Sequence, residues 1–162
     1  YKKDECKMSI AIRSFYLLTQ AIKTELENDP SVNTVSFGDI TDLDLRKQTI
    51  FPLSHIMLNS VTNQDNVLVY NLSIFVMDLV DISKSETLDQ FIGNDNEQDV
   101  LNTCLTVINK LTTKLRKGAL FLDRYQLAGN VVFEPFVERF DNSLAGFVGT
   151  FDILVTNDID IC

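Results

Sequence analysis

Residues 53–80 read LSHIMLNSVTNQDNVLVYNLSIFVMDLV, and this stretch decides the fold. Residues 53–61 and 67–80 are rich in β-branched, aromatic and large aliphatic side chains, which suit a pleated, half-buried surface. Between them lie Thr62, Asn63, Gln64, Asp65 and Asn66, a run of polar turn formers. Two such runs around a short polar link read as a long β-hairpin. In the second arm Leu68, Tyr70, Leu72, Ile74 and Val76 share one face, while Asn71 and Ser73 fall among apolar residues on the other. The first face is expected in the core and the second only partly covered. Fourteen strand residues span roughly 46 Å at about 3.3 Å each. A domain of this size is only roughly 40 Å across. The hairpin is therefore expected to project at its polar tip, and so to need a partner or tolerate solvent on both sides.

Moving outward toward the N-terminus, residues 32–37 read as a short strand, followed by the acidic, loop-like stretch 38–47. Before them, residues 9–28 read as a helix, with Phe15, Leu18, Ile22 and Leu26 on one face. Asn28, Asp29 and Pro30 end it, because a proline disfavours helix at the residue before it. Burying those four side chains is worth on the order of 6–12 kcal/mol before entropy is subtracted. Arg13 and Lys23 interrupt the apolar helix, so a signal peptide is a poor reading of this end. The chain begins at Tyr1, which suggests trimming, processing or a fragment, and residues 1–8 read as an extension.

Toward the C-terminus, residues 82–99 form a long polar connection in which residues 87–92 read as a helical turn. Residues 97–117 read as a second helix, with Val100, Cys104, Val107, Ile108, Leu111 and Leu115 on one face. Acidic residues precede it and Lys110, Lys114, Arg116 and Lys117 end it, in accord with the helix dipole, with Gly118 as the stop. Residues 131–139 read as a strand that Pro135 confines to an edge or a bulge. A turn at residues 141–144 leads into a last alternating strand, residues 145–156. The expected fold is thus α+β: one domain over residues 1–162, with an antiparallel or mixed sheet, a long projecting hairpin and two main helices packed on one face.

The chain has 162 residues, 45% hydrophobic and 23% charged, the balance of a folded globular protein. With 14 Lys plus Arg against 23 Asp plus Glu the net charge is −9, which argues against a protein that wraps nucleic acid. No apolar run is long enough to span a membrane. Cys6, Cys104 and Cys162 show no CxxC pairing, and His55 is the sole histidine, so a zinc site lacks ligands. Free thiols are the expected state, with a bridge between chains through Cys162 as the alternative.

Little else carries chemistry. No phosphate-binding loop, nucleophile elbow, zinc-protease helix or EF-hand loop is present. His55 reads as a packed or half-exposed strand residue, since no nucleophile or orienting partner is marked by spacing. Asp39, Asp42 and Asp44, and separately Asn94, Asp95, Asn96, Glu97 and Asp99, could hold a cation, but neither set has the register of a calcium loop. Solvated acidic loops are the better reading. The triplet at Asn71 matches a glycosylation sequon but lies mid-strand. No catalytic, cofactor-binding or metal-ligating residue is assigned, no cofactor is implied, and the chain is not read as an enzyme.

Three stretches carry a family resemblance: residues 12–30 with the strand after them, Phe51-Pro52-Leu53 leading into the hairpin, and residues 136–147, a turn into the last strand. Over roughly residues 8–162 the chain resembles the tail-terminator, or tail-completion, proteins of tailed double-stranded DNA bacteriophages. The third stretch also looks like versions from crAss-like and other phages of Bacteroidetes-type hosts. The resemblance implies a virion protein of the neck or tail, assembled in the host cytoplasm as a ring of six subunits, or twelve in a neck ring. One ring face would cap the tail tube, the other would dock to the connector, and DNA would pass through the bore without specific binding. No membrane is involved. The extension and the 82–99 connection depart from a minimal version.

An outstretched hairpin can add strands to a neighbour's sheet, so Thr62, Asn63, Gln64, Asp65 and Asn66 are the expected oligomer contacts. Acidic residues lining a bore would keep DNA off its wall. Two competing readings are a monomeric assembly adaptor or chaperone, and a small enzyme built on a carboxylate pair.

Overall fold

A computed structural model describes residues 13–43, 48–80, 96–118, 120, 125–139 and 143–157. Among the described residues the architecture is α+β, with a mixed, open, six-stranded sheet and two helices. Helix α1 spans Ser14–Glu27 and helix α2 spans Glu97–Lys117. The strands are β1 (Thr34–Phe37), β2 (Leu53–Gln64), β3 (Val67–Leu79), β4 (Gln126–Ala128), β5 (Phe133–Arg139) and β6 (Ser143–Thr156). Their order is β1-β2-β3-β6-β4, with β5 also on β6. Among the described strands only β1 runs parallel to its neighbour; the remaining pairs are antiparallel.

The alternation seen in the second arm places the core. Tyr70, Leu72, Ile74 and Val76 of β3 are buried with Ile56 of β2 and Ala145, Phe151, Ile153 and Val155 of β6. Leu18, Ile22 and Leu26 of α1 and Val100, Cys104, Val107, Ile108, Leu111 and Leu115 of α2 cover this face. Two ion pairs tie the helices together, Lys110 to Asp29 at 3.2 Å and Lys114 to Glu25. A second, smaller cluster of Phe51, Leu53, Met77 and Leu144 lies on the opposite face, at the end of the sheet remote from the β2–β3 turn. Three buried hydroxyls find partners: Ser54 donates to the Phe75 carbonyl, Thr112 to the Ile108 carbonyl, and Ser14 pairs with the Tyr70 hydroxyl, whereas the buried Asn157 Oδ1 accepts no hydrogen bond among the described residues.

Gly146 explains how tightly β6 lies on β3. A Cβ there would sit 2.1 Å from the Val76 carbonyl oxygen, so no larger residue fits without moving backbone. Gly118 ends α2 without a left-handed turn (φ −107°): its N–H caps Lys114, and a Cβ would meet the Lys114 Cα at 2.7 Å.

Several sequence expectations are corrected. Phe15 is not in the core row of α1; Ser14 takes the buried place, and Phe15 lies on the flank, 37% exposed. Strand β1 begins at Thr34: Asp29 accepts the Ser31 and Val32 N–H groups and so holds Val32 in a turn, and Asn33 is a bend whose N–H goes to the Pro52 carbonyl. The polar link at 62–66 shrinks to Asp65 and Asn66, since Gln64 already pairs with Val67, and Asp65 adopts φ 50° to make the turn. The hairpin is not a two-stranded arm standing alone. Strand β6 follows β3 to its end, pairing Val67 with Thr156, and the Asn157 N–H donates to the Asn66 carbonyl at 2.7 Å. Strand β6 also starts at Ser143 rather than after Leu144. Strand β5 starts at Phe133, and Pro135 lies on it at the sheet rim. The little strand β4 has no counterpart in the sequence reading. Residues 9–12, Asp44, the 87–92 turn, Asn94, Asp95, Cys6 and Cys162 lie outside the described residues.

Candidate functional site

Among the described residues, the outer edge of β2 is open for most of its length. Strand β1 pairs with it only from Leu53 to Ile56, after which the Gly38 N–H reaches the Ile56 carbonyl at 3.1 Å. Among the described residues, no strand lies on that edge from Met57 to Gln64. Residues 59–66 are all exposed, so the far half of β2 stands clear of the core even though β3 and β6 support it from the other side. An unpaired edge presents N–H and C=O groups ready to pair, and folded proteins usually blunt it with lysine, proline or an inward charge. Residues 57–64 contain no lysine, proline or charge, and a bulge at Asn59 is the one blunting device on this edge. The expected contact residues Thr62, Asn63 and Gln64 are the end of this edge, and Asp65 and Asn66 are its turn.

Beside the edge, on the helix side of the sheet, lies an apolar shelf. The Phe15 ring stacks on Tyr70 at 6.0 Å and meets Phe37 edge-on at 5.8 Å. Phe37 is 53% exposed, and Val61, which pairs with Tyr70 across β2 and β3, is 45% exposed. Any strand laid against β2 would set alternate side chains on this shelf.

The opposite side of the same region is polar. The register slips between Leu58 and Ser60, leaving Asn59 as a bulge residue. Its amide donates to Asn71 Oδ1 at 2.8 Å and to Ser73 Oγ at 2.7 Å. Asn71 in turn donates to Asp152 Oδ1 at 2.6 Å. The sequon residue thus links three strands through its side chain.

The other candidates are placed as structural groups. His55 is buried at 1% exposure on the face away from the helices, with Nε2–H donating to the Gly38 carbonyl at 2.9 Å. A carbonyl only accepts, so Nδ1 carries no proton in the neutral ring and accepts from Ser36 Oγ at 2.8 Å. Burial lowers the His55 pKa, opposed by the Gly38 hydrogen bond and by the Asp39 charge. Asp39 accepts the Thr41 N–H and hydroxyl and so caps the turn at Ile40–Asp42; these bonds hold its carboxyl below the usual range. Glu97 and Asp99 form the acidic first turn of α2, at the positive end of its dipole. Cys104 is buried, and burial together with the nearby Asp78 charge pushes its thiol up to about 12. No cluster of three or more metal-ligating side chains occurs among the described residues. An open cleft of about 210 Å³ between α1 and β1 is lined by Thr19, Gln20, Lys23 and Ile56 among others, with no carboxylate in its wall. No helix among the described residues is long and apolar enough to cross a membrane.

The shelf was missed in the sequence. Phe15 fits the spacing of the buried row, and only the short reach of β1 leaves it and Phe37 at the rim. The one available signal was the absence of any lysine, proline or charge in 57–64. No protein-family model matches the chain, and no curated protein matches it.

Proposed function

We propose that this chain is a structural subunit that associates with further copies of itself through the open edge of β2. The observation that carries this reading is the uncharged, proline-free edge from Met57 to Gln64, unpaired among the described residues and standing off the core beside the Phe15–Phe37–Val61 shelf. Main-chain pairing along such an edge is a recurring mode of assembly. A head-to-tail contact whose rotation closes gives a ring.

The assembly we propose is the ring suggested by the resemblance to phage tail-terminator proteins. Six subunits, or twelve, would surround the DNA conduit between tail and head connector in the virion. The net charge of −9 suits a conduit whose wall does not hold its cargo. On this reading shape, rather than a reactive group, is the protein's contribution.

Native mass spectrometry and negative-stain imaging of the purified chain test it. The expected result is a closed annular particle, lost in Val61→Lys with the fold retained. A monomer at all accessible concentrations, as an assembly adaptor would be, overturns it. So does a bore lined mainly by Lys and Arg, as far as the conduit is concerned.

A further inference from the structure

Accepting the reading above that copies associate through β2, we infer that the surface receiving this edge is the opposite rim of the same sheet, at β4 and the segment between β4 and β5, on the next copy.

Three observations bear on this. The first is strand polarity. Strand β2 runs antiparallel to β3, β3 to β6, and β6 to β4. The direction reverses at each of these three steps, so β4 runs antiparallel to β2. A second copy placed rim to rim in the same orientation therefore offers its β2 in the favourable antiparallel sense.

The second is height along the strands. Leu127 pairs with Ile153, Ile153 with Tyr70, and Tyr70 with Val61. The same chain of pairs links Gln126 to Leu154, Val69 and Thr62. Strand β4 thus lies level with the middle of the open edge. The lower part of that rim is β5, where Pro135 supplies no N–H and blunts strand addition. The upper part at β4 carries no such residue.

The third is apolar matching. Val132, between β4 and β5, is 70% exposed and lies at the receiving rim. The shelf of Phe15, Phe37 and Val61 lies at the donating rim. Joining unlike rims covers both sets. A two-fold pairing of β2 with β2 would leave Val132 and the β4 edge, which no strand covers among the described residues, outside the contact, and would close as a dimer rather than a ring.

Disulfide mapping between copies tests the pairing, because antiparallel neighbours bring Cα atoms within bridging range. The full chain carries Cys6→Ser and Cys162→Ser; Cys104 is buried. Single variants Ser60→Cys, Thr62→Cys and Gln64→Cys are each mixed with Gln126→Cys and oxidised mildly. The expected result is at least tenfold more cross-linked dimer in one of these mixtures than in either variant alone. Val132→Asp is expected to weaken association at least tenfold with an unchanged circular dichroism spectrum. Cross-linking of Thr62→Cys to itself overturns the inference and assigns a two-fold contact. An oligomer by native mass with no cross-link in any mixture, and none affected by Val132→Asp, also overturns it while leaving self-association standing. A monomeric chain overturns both readings.

Discussion

Ser36 Oγ lies 2.8 Å from His55 Nδ1, and through this contact the edge strand β1 is held to β2 by a neutral imidazole. The far nitrogen of the same ring reaches the Gly38 carbonyl at 2.9 Å, so one side chain clamps both the middle of β1 and the turn that leaves it. Burial lowers the pKa of His55 in the fold, which makes the unfolded chain the better proton acceptor below its ordinary value. Stability from this group is complete above about pH 6.5 and declines as pH falls from there toward the depressed folded value. His55→Gln should flatten that slope in urea denaturation from pH 7.5 to 5. Because His55 is the sole histidine, its imidazole resonance reports the titration directly, with a midpoint expected below 6.5. A midpoint above it would contradict the clamp.

Asp78 should give the opposite slope. Burial raises its pKa, only partly offset by the Leu79 N–H. The folded chain therefore binds the proton more tightly than the unfolded one, and stability falls as pH rises from about 3.8 through the folded value. Asp78→Asn is expected to remove this loss and to raise the melting temperature at pH 7. An unchanged or lower melting temperature would show that the carboxylate has a compensating partner.

The two glycines of β6 should differ in cost. Gly146→Ala puts a methyl into the β3 backbone, 2.1 Å from the Val76 carbonyl, and nothing short of strand displacement relieves it. Gly149→Ala meets side-chain atoms only, Ile108 Cδ1 and Phe151 Cε2 at 3.0 Å and Phe133 Cδ1 at 3.1 Å, so relief needs shifts of about a few tenths of an ångström in side chains and none in backbone. Overpacking commonly costs about 1–3 kcal/mol. Gly146→Ala is expected at or above the top of that range and Gly149→Ala near the bottom. Equal losses in chemical denaturation would refute the distinction.

These examples show which parts of the fold were legible. The face of α2, the Leu18–Ile22–Leu26 row of α1, the buried face of β3 and the edge position of Pro135 follow from local periodicity and from one missing N–H, which depend on near neighbours in sequence. Strand β4 does not, because Gln126, Leu127 and Ala128 form a strand only by meeting Asp152, Ile153 and Leu154. Nor does the support of the β2–β3 turn by Asn157, whose partners Asp65 and Asn66 are far away in the chain. The candidate edge was half legible. Its polar end at 62–66 stands out in the sequence. Its true extent, from Met57, depends on where the parallel strand β1 stops, and no pattern within 53–64 records that. Phe15 was misplaced for the same reason: helical spacing fits the core row, but Ser14 won the buried position by pairing with the Tyr70 hydroxyl.

The side-chain ladder Asn59–Asn71–Asp152 offers a last test, because it fixes the bulge that shapes the open edge. Asn71 accepts from Asn59 and donates to Asp152, so its removal leaves the Asn59 amide with Ser73 alone of these two acceptors and takes a donor from the Asp152 carboxylate. The ladder is partly exposed, so each single change should cost about 1 kcal/mol, in keeping with an ordinary hydrogen bond. The two contacts share one residue, so Asn59→Ala and Asp152→Ala should be less than additive when each is combined with Asn71→Ala. The measurements belong in the Val61→Lys background, where association does not add to apparent stability. If the bulge orients the edge, Asn59→Ala on its own, in an otherwise unaltered chain, should weaken association beyond its small effect on unfolding. Full association with that substitution would mean that the edge is set by the backbone and needs no ladder behind it.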